Sequence, residues 1–158
     1  MLTSHHPKAV LLLQDGTRFE GRAIGTRATS VGEICFNTGM TGYQEIFTDP
    51  SYTGQIMVMA APHIGNYGVR EGAQRPLDGE HEGPVVSIAG LVVKKFSEVW
   101  SRPAGTGSLE DLLQRAGIAG ISDIDTRKLV RHIRDHGAQN AIIDSTGLSH
   151  AELRDRVA

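Results

Sequence analysis

Residues 9–14 form an apolar run, and residues 17–23 answer it with Phe19, Gly21 and Ala23 alternating against Arg18, Glu20 and Arg22. Asp15-Gly16 stands between them. An Asp-Gly pair flanked by strand-like runs is one of the strongest short-range hairpin signals, because glycine takes the positive φ that a tight return requires. Any fold for this chain therefore starts from an antiparallel hairpin. More β character follows at 32–37 and 55–61, with a short helix expected over 41–48 before Pro50 and a glycine-containing turn at 65–68. Residues 85–96 resume a strand pattern.

The second half changes period. Ser108 is placed to cap a helix whose Leu109, Leu112 and Leu113 share one face, with Gly117 as its stop. After a short strand at 118–121, Asp125 caps a helix that turns Leu129, Val130 and Ile133 inward and Arg127, Arg131 and Arg134 outward, ended by Gly137. Residues 141–143 are the core of another strand, and Ser149 with Glu152 has capping-box spacing for a last helix. A β-rich half followed by alternating helices and strands points to one domain over residues 1–158, built of mixed α/β layers. Between the halves, residues 69–84 are rich in Gly, Pro and charge. They are expected to be the most mobile internal segment and the first site of limited proteolysis.

Charge and cysteine content narrow the functional classes. With 16 Lys and Arg against 18 Asp and Glu, the net charge of -2 gives no general pull toward nucleic acid or an anionic membrane. No apolar run approaches the roughly 20 residues of a membrane-spanning helix. Cys35 is the single cysteine, so no internal disulfide forms; with no secretory leader pattern, a cytoplasmic location is expected. The 19 glycines in 158 residues, about 12% against a usual share of about 7%, call for many tight turns.

Most chemical motifs are missing. There is no phosphate-binding loop, and Gly105-Thr106-Gly107 has Glu110 where a dinucleotide fingerprint places its third glycine. His132 and His136 have i, i+4 spacing but lack a third zinc ligand and sit among Arg131 and Arg134, so they read as a solvated helix face. A cysteine nucleophile on a strand-to-helix elbow needs small residues two places to either side, whereas Cys35 has Glu33 and Asn37; it reads as a packing residue. Arg127, Lys128, Arg131 and Arg134 form either a solvated face or part of a subunit interface. Ser51, held on a turn behind Pro50, either stabilises that turn or offers its hydroxyl to a small polar ligand.

The run from Gly32-Glu33-Ile34-Cys35-Phe36-Asn37 through Gly39-Met40-Thr41-Gly42-Tyr43-Gln44-Glu45 to Asp49-Pro50-Ser51-Tyr52 resembles the signature of the carbamoyl phosphate synthetase small subunit. Further stretches match the same family in the same order: Asp15-Gly16 through Gly21-Arg22, Pro62-His63-Ile64-Gly65-Asn66-Tyr67-Gly68, and Ile124-Asp125-Thr126-Arg127 with Gly137-Ala138. The resemblance implies the N-terminal domain of that subunit, with a three-layer β/β/α swivelling fold. It also implies a large-subunit partner that carries both ATP sites and their metal ions, leaving no cofactor or metal on this domain. The family's second domain is a glutamine amidotransferase with a cysteine nucleophile, a histidine and a glutamate, none of which falls within these 158 residues, so no catalytic residue is expected here. The whole enzyme makes carbamoyl phosphate from glutamine, bicarbonate and ATP for pyrimidine and arginine synthesis. One glutamine contact of the family falls on Ser51. Residues 37–44 read either as a tight connection that relies on Gly39 and Gly42 or as a scaffold that presents the Ser51 turn to the amidotransferase domain, and the two are compatible. Two other readings compete: a self-sufficient module that binds a small ligand or partner, and a standalone hydrolase built on Cys35.

Overall fold

The computed structural model describes residues 7–39, 43–61, 86–96 and 109–158, the side chains of 43–45 excepted. The expected hairpin opens the fold: β1 (Lys8–Leu13) pairs antiparallel with β2 (Arg18–Gly25), placing Leu11 opposite Phe19. The return is a three-residue loop with Gly16 at φ 93°, and the Leu13 amide donates to the Thr17 carbonyl at 2.9 Å.

The remaining strands are β3 (Thr29–Asn37), β4 (Ile56–Met59), β5 (Gly90–Val92), β6 (Ala119–Ser122) and β7 (Asn140–Asp144). They close into a barrel in the order β1-β2-β6-β5-β4-β3-β7, with β7 pairing antiparallel to both β1 and β3. The pairs β3–β4, β4–β5 and β5–β6 are parallel. Four α-helices among the described residues complete the mixed α/β domain: α1 (Tyr43–Thr48), α2 (Leu109–Ala116), α3 (Thr126–His136) and α4 (His150–Val157). Among the described residues no helix is long and apolar enough to cross a membrane.

Among the described residues, strand alternation divides the buried apolar side chains among three clusters. On β1, Leu11 and Leu13 join the large central cluster with Ile56, Val58, Ile121 and Ile143, while Leu12 packs with Ile142 under Leu153 and Val157 of α4. On β4, Met57 and Met59 face the other way, against Phe47 of α1 and Leu109, Leu112 and Leu113 of α2. All four β4 residues are therefore buried, as expected of a parallel strand covered on both faces. Leu129, Val130 and Ile133 bring α3 into the central cluster, each burial being worth about 1.5–3 kcal/mol.

The helix ends follow the sequence reading. Asp125 accepts from the Lys128 amide at 3.1 Å, Gly137 ends α3 at φ 80°, and both halves of the Ser149–Glu152 capping box form. The strand expected over 85–96 is only three residues long. The Ser87 amide goes to the Phe47 carbonyl instead of a sheet ladder, and the chain emerges at exposed Lys94 and Lys95. Ser108 and residues 62–84, including the expected mobile loop, lie outside the described residues.

Asp144 closes the barrel electrostatically where β7 meets both neighbours, opposite Val10 on one side and Thr29 on the other. Only 3% exposed, its carboxylate accepts from the hydroxyls of Thr29 (2.8 Å) and Thr146 (2.7 Å) and from the amides of Thr146, Gly147 and Leu148. Burial opposes its charge, but the Thr146, Leu148 and Thr29 donors outweigh it and hold the carboxyl at about 2 rather than 3.8. A carboxyl lowered on folding stabilises the protein above its unfolded value, and that contribution is lost as pH falls through the folded value. Asp144→Asn is expected to cost about 2–3 kcal/mol at pH 7, with the gap from the parent narrowing from pH ~4 down through ~2. Urea melts across that range check it; a gap independent of pH contradicts the assignment.

Candidate functional site

Ser51 lies in a single 3-10 turn, Pro50–Tyr52, between α1 and β4. Pro50 fixes φ and has no amide to donate, so the first amide needing a partner is that of Ser51; Asp49 Oδ1 accepts it at 2.9 Å. On the far side the Thr53 hydroxyl donates to the Pro50 carbonyl at 2.7 Å, and the Tyr52 amide to the Asp49 carbonyl at 3.1 Å. The Gly54 amide then anchors the turn to the Ser87 carbonyl at 3.0 Å. Ser51 itself is exposed, and its hydroxyl has no hydrogen-bond partner among the described residues. The backbone of the turn is held by its neighbours, and the hydroxyl remains available.

The turn is also held against the barrel. A Cβ on Gly32 of β3 would overlap the Gly54 carbonyl oxygen, so β3 can approach this closely only with glycine there. Sequence reasoning placed Gly32 at the head of the family signature without this reason. Of residues 37–44, the stretch 40–42 lies outside the described residues; Asn37 Oδ1 accepts the Gly39 amide at 2.7 Å, making a turn at the exit from β3.

Cys35 is apart from this chemistry. Its half-buried thiol donates weakly to the Ile56 carbonyl at 3.5 Å and lies 3.9 Å from the Met57 sulfur. Burial, aided by the Glu33 charge, pushes the thiol up to about 11, so thiolate is scarce at neutral pH. The packing role expected for Cys35 agrees with this environment.

His132 departs from the expected solvated face. Its side chain is 21% exposed, and Nε2 lies 2.6 Å from Asp15 Oδ2 and 3.2 Å from the Thr17 hydroxyl. Asp15 also accepts from the Thr17 amide and from Gln139 Nε2, so one carboxylate ties the hairpin loop to α3 and to the start of β7. Burial works against the charge on Asp15, but the Thr17 amide, His132 and Gln139 hold its carboxyl well below the usual range. The reason for the departure is tertiary: α3 crosses the hairpin loop, and 117 residues of sequence separate the two partners. His136 stacks on His132 with ring centroids 4.1 Å apart and makes a 3.0 Å hydrogen bond through Nδ1 to the His132 carbonyl.

Around these histidines lies an open depression of about 330 Å³, walled by Arg127, Lys128, Arg131, Asp125, Asp135 and the two rings. Its cations are interleaved with two carboxylates, and Ser51 is not on its walls. Arg134 instead covers the Phe36 ring at 5.1 Å, so one of the four expected surface cations has a packing partner.

Gly32→Ala is expected to push the 50–54 turn away from β3 and to cost about 1–3 kcal/mol, as for other overpacking substitutions. Amide chemical shifts combined with urea melts check this: changes should concentrate at 49–55. Changes restricted to β3 would contradict the contact.

With this geometry in place, comparison with known proteins is direct. Residues 11–143 match the family described as carbamoyl-phosphate synthase small chain, CPSase domain. The chain is 43% identical over 153 residues to the carbamoyl phosphate synthase small chain of Rhodopirellula baltica, covering 97% of this chain and 38% of that protein. It is 48% identical over 149 residues to the small chain of Syntrophotalea carbinolica, covering 94% and 38%. It is likewise 48% identical over 135 residues to that of Escherichia coli K12, covering 85% and 34%. The chain thus spans little more than a third of the length of these curated relatives. From the hairpin through β7, this chain belongs to the carbamoyl-phosphate synthase small chain family.

Proposed function

We propose that this chain serves as the N-terminal domain of the small subunit of glutamine-dependent carbamoyl phosphate synthetase, where it docks on the large subunit and supplies one wall of the glutamine pocket through Ser51. The observation that carries the reading is a family match over 11–143 that contains an exposed hydroxyl, unpartnered among the described residues, on a turn braced from both sides. On this reading the seven-stranded barrel with its helices is the swivelling β/β/α domain of the family. Glutamine hydrolysis belongs to a second, amidotransferase domain, and both ATP with their metal ions belong to the large subunit. The assembled heterodimer, in the cytoplasm, supplies carbamoyl phosphate for pyrimidine and arginine synthesis.

The chemistry assigned to this domain is recognition. A hydroxyl donates one hydrogen bond and accepts others, which suits the amide or the α-carboxylate of glutamine. Cys35, with its thiol pushed up to about 11 and its sulfur turned to Ile56 and Met57, is no substitute for an activated nucleophile. This chain alone is accordingly expected to release no ammonia from glutamine. Turnover that follows the chain through several columns and vanishes in Cys35→Ser would contradict that.

In the complete small subunit, Ser51→Ala is expected to lower glutamine-dependent kcat/KM by about 2- to 12-fold, the worth of one neutral hydrogen bond, while sparing ammonia-dependent synthesis. Added ammonia reaches the large subunit without passing through the glutamine pocket, so the two substrates separate the site from the scaffold. Equal loss with both substrates would make Ser51 a structural residue of the domain or its interface.

A further inference from the structure

We infer that Asp49 is a positioning residue for glutamine, acting through Ser51 by fixing the backbone that carries the hydroxyl. The inference rests on the proposed role of Ser51. Asp49 stands at the N-cap of the 3-10 turn with extended backbone (φ -70°, ψ 120°), and its Oδ1 holds the Ser51 amide at 2.9 Å. Because Pro50 has one allowed φ and no donor, this bond is what holds the N–H side of the peptide joining Pro50 to Ser51, next to the Ser51 Cα–Cβ bond. The Thr53 hydroxyl at 2.7 Å and the Thr53 amide at 3.2 Å restrain the carbonyl side of the same peptide group.

This division of labour leaves the Ser51 side chain free. In many turns a serine hydroxyl caps its own backbone; here a carboxylate two residues earlier takes that task, and the hydroxyl is exposed and unpaired among the described residues. A ligand that takes this hydroxyl as donor or acceptor therefore displaces no intramolecular bond. Without the Asp49 cap, the Ser51 amide would compete for its own hydroxyl or for water, and the turn would sample orientations that do not meet glutamine.

The test uses the complete small subunit assembled with its large subunit, with KM for glutamine and kcat measured separately and ammonia-dependent synthesis as the parallel readout. Asp49→Ala is expected to raise the glutamine KM by about 2- to 12-fold, bounded by what Ser51→Ala loses, with little change in the ammonia-dependent rate. Asp49→Asn, which keeps the Oδ1 acceptor, is expected to recover most of that loss. In the Ser51→Ala background, Asp49→Ala should add nothing, because a residue acting only through Ser51 has no further route to the substrate. Additive losses in that double variant, or an Asp49→Asn enzyme as impaired as Asp49→Ala, overturn the inference while leaving Ser51 as a contact. A Ser51→Ala enzyme with unaltered glutamine kinetics removes the contact itself, and the positioning role with it.

Discussion

β7 is paired on both sides, and everything else in this domain depends on that double pairing. Its five residues join β1 through Val10↔Asp144 to Leu13↔Ala141 and β3 through Thr29↔Asp144 to Glu33↔Asn140, turning an open sheet into a ring without edges. Asp144 is at the end of both ladders, and the three of its hydrogen bonds that come from the Thr146, Gly147 and Leu148 amides commit that backbone to a loop that delivers α4 over Leu12 and Ile142. A buried carboxylate without those donors would be costly; with them, it fixes where the ring closes and where the last helix starts.

The tolerances near Ser51 are tight because its turn lies directly against a barrel strand, where a close backbone approach leaves no room for a side chain. The turn after Ser51 meets β3 at Gly32 through the Gly54 carbonyl, and it is tied to the segment before β5 through Ser87. The Ser51 turn is thus held by β3, by the Ser87 segment and by its own cap. A recognition hydroxyl benefits from such support, since ordering it only on binding would cost conformational entropy.

Local chemistry was legible in the sequence, and long-range pairing was not. Asp15-Gly16 announced the hairpin, Asp125 and Gly137 bounded α3, and Ser149 with Glu152 started α4, because each signal is complete within a few residues. Leu109, Leu112 and Leu113 announced the buried face of α2 by spacing alone. No local pattern could show that β7 returns to β1, or that His132 meets Asp15, since those partners are more than a hundred residues apart. The extent of β5 failed for a related reason: a run of β character does not reveal that the Ser87 amide is taken by Phe47 of α1. At the candidate site, the family resemblance singled out Ser51, whereas the roles of Asp49, Thr53 and Gly32 became visible only as distances.

The central claim is that this domain offers glutamine a hydroxyl on a turn already in its binding conformation. A crystal structure of the complete small subunit with glutamine bound tests it most directly. The account predicts Ser51 Oγ within about 3.2 Å of a polar atom of glutamine, with the Asp49–Ser51 and Thr53–Pro50 hydrogen bonds intact. Glutamine seated in the amidotransferase domain with the Ser51 hydroxyl left in solvent, or turned toward the large subunit, would contradict it.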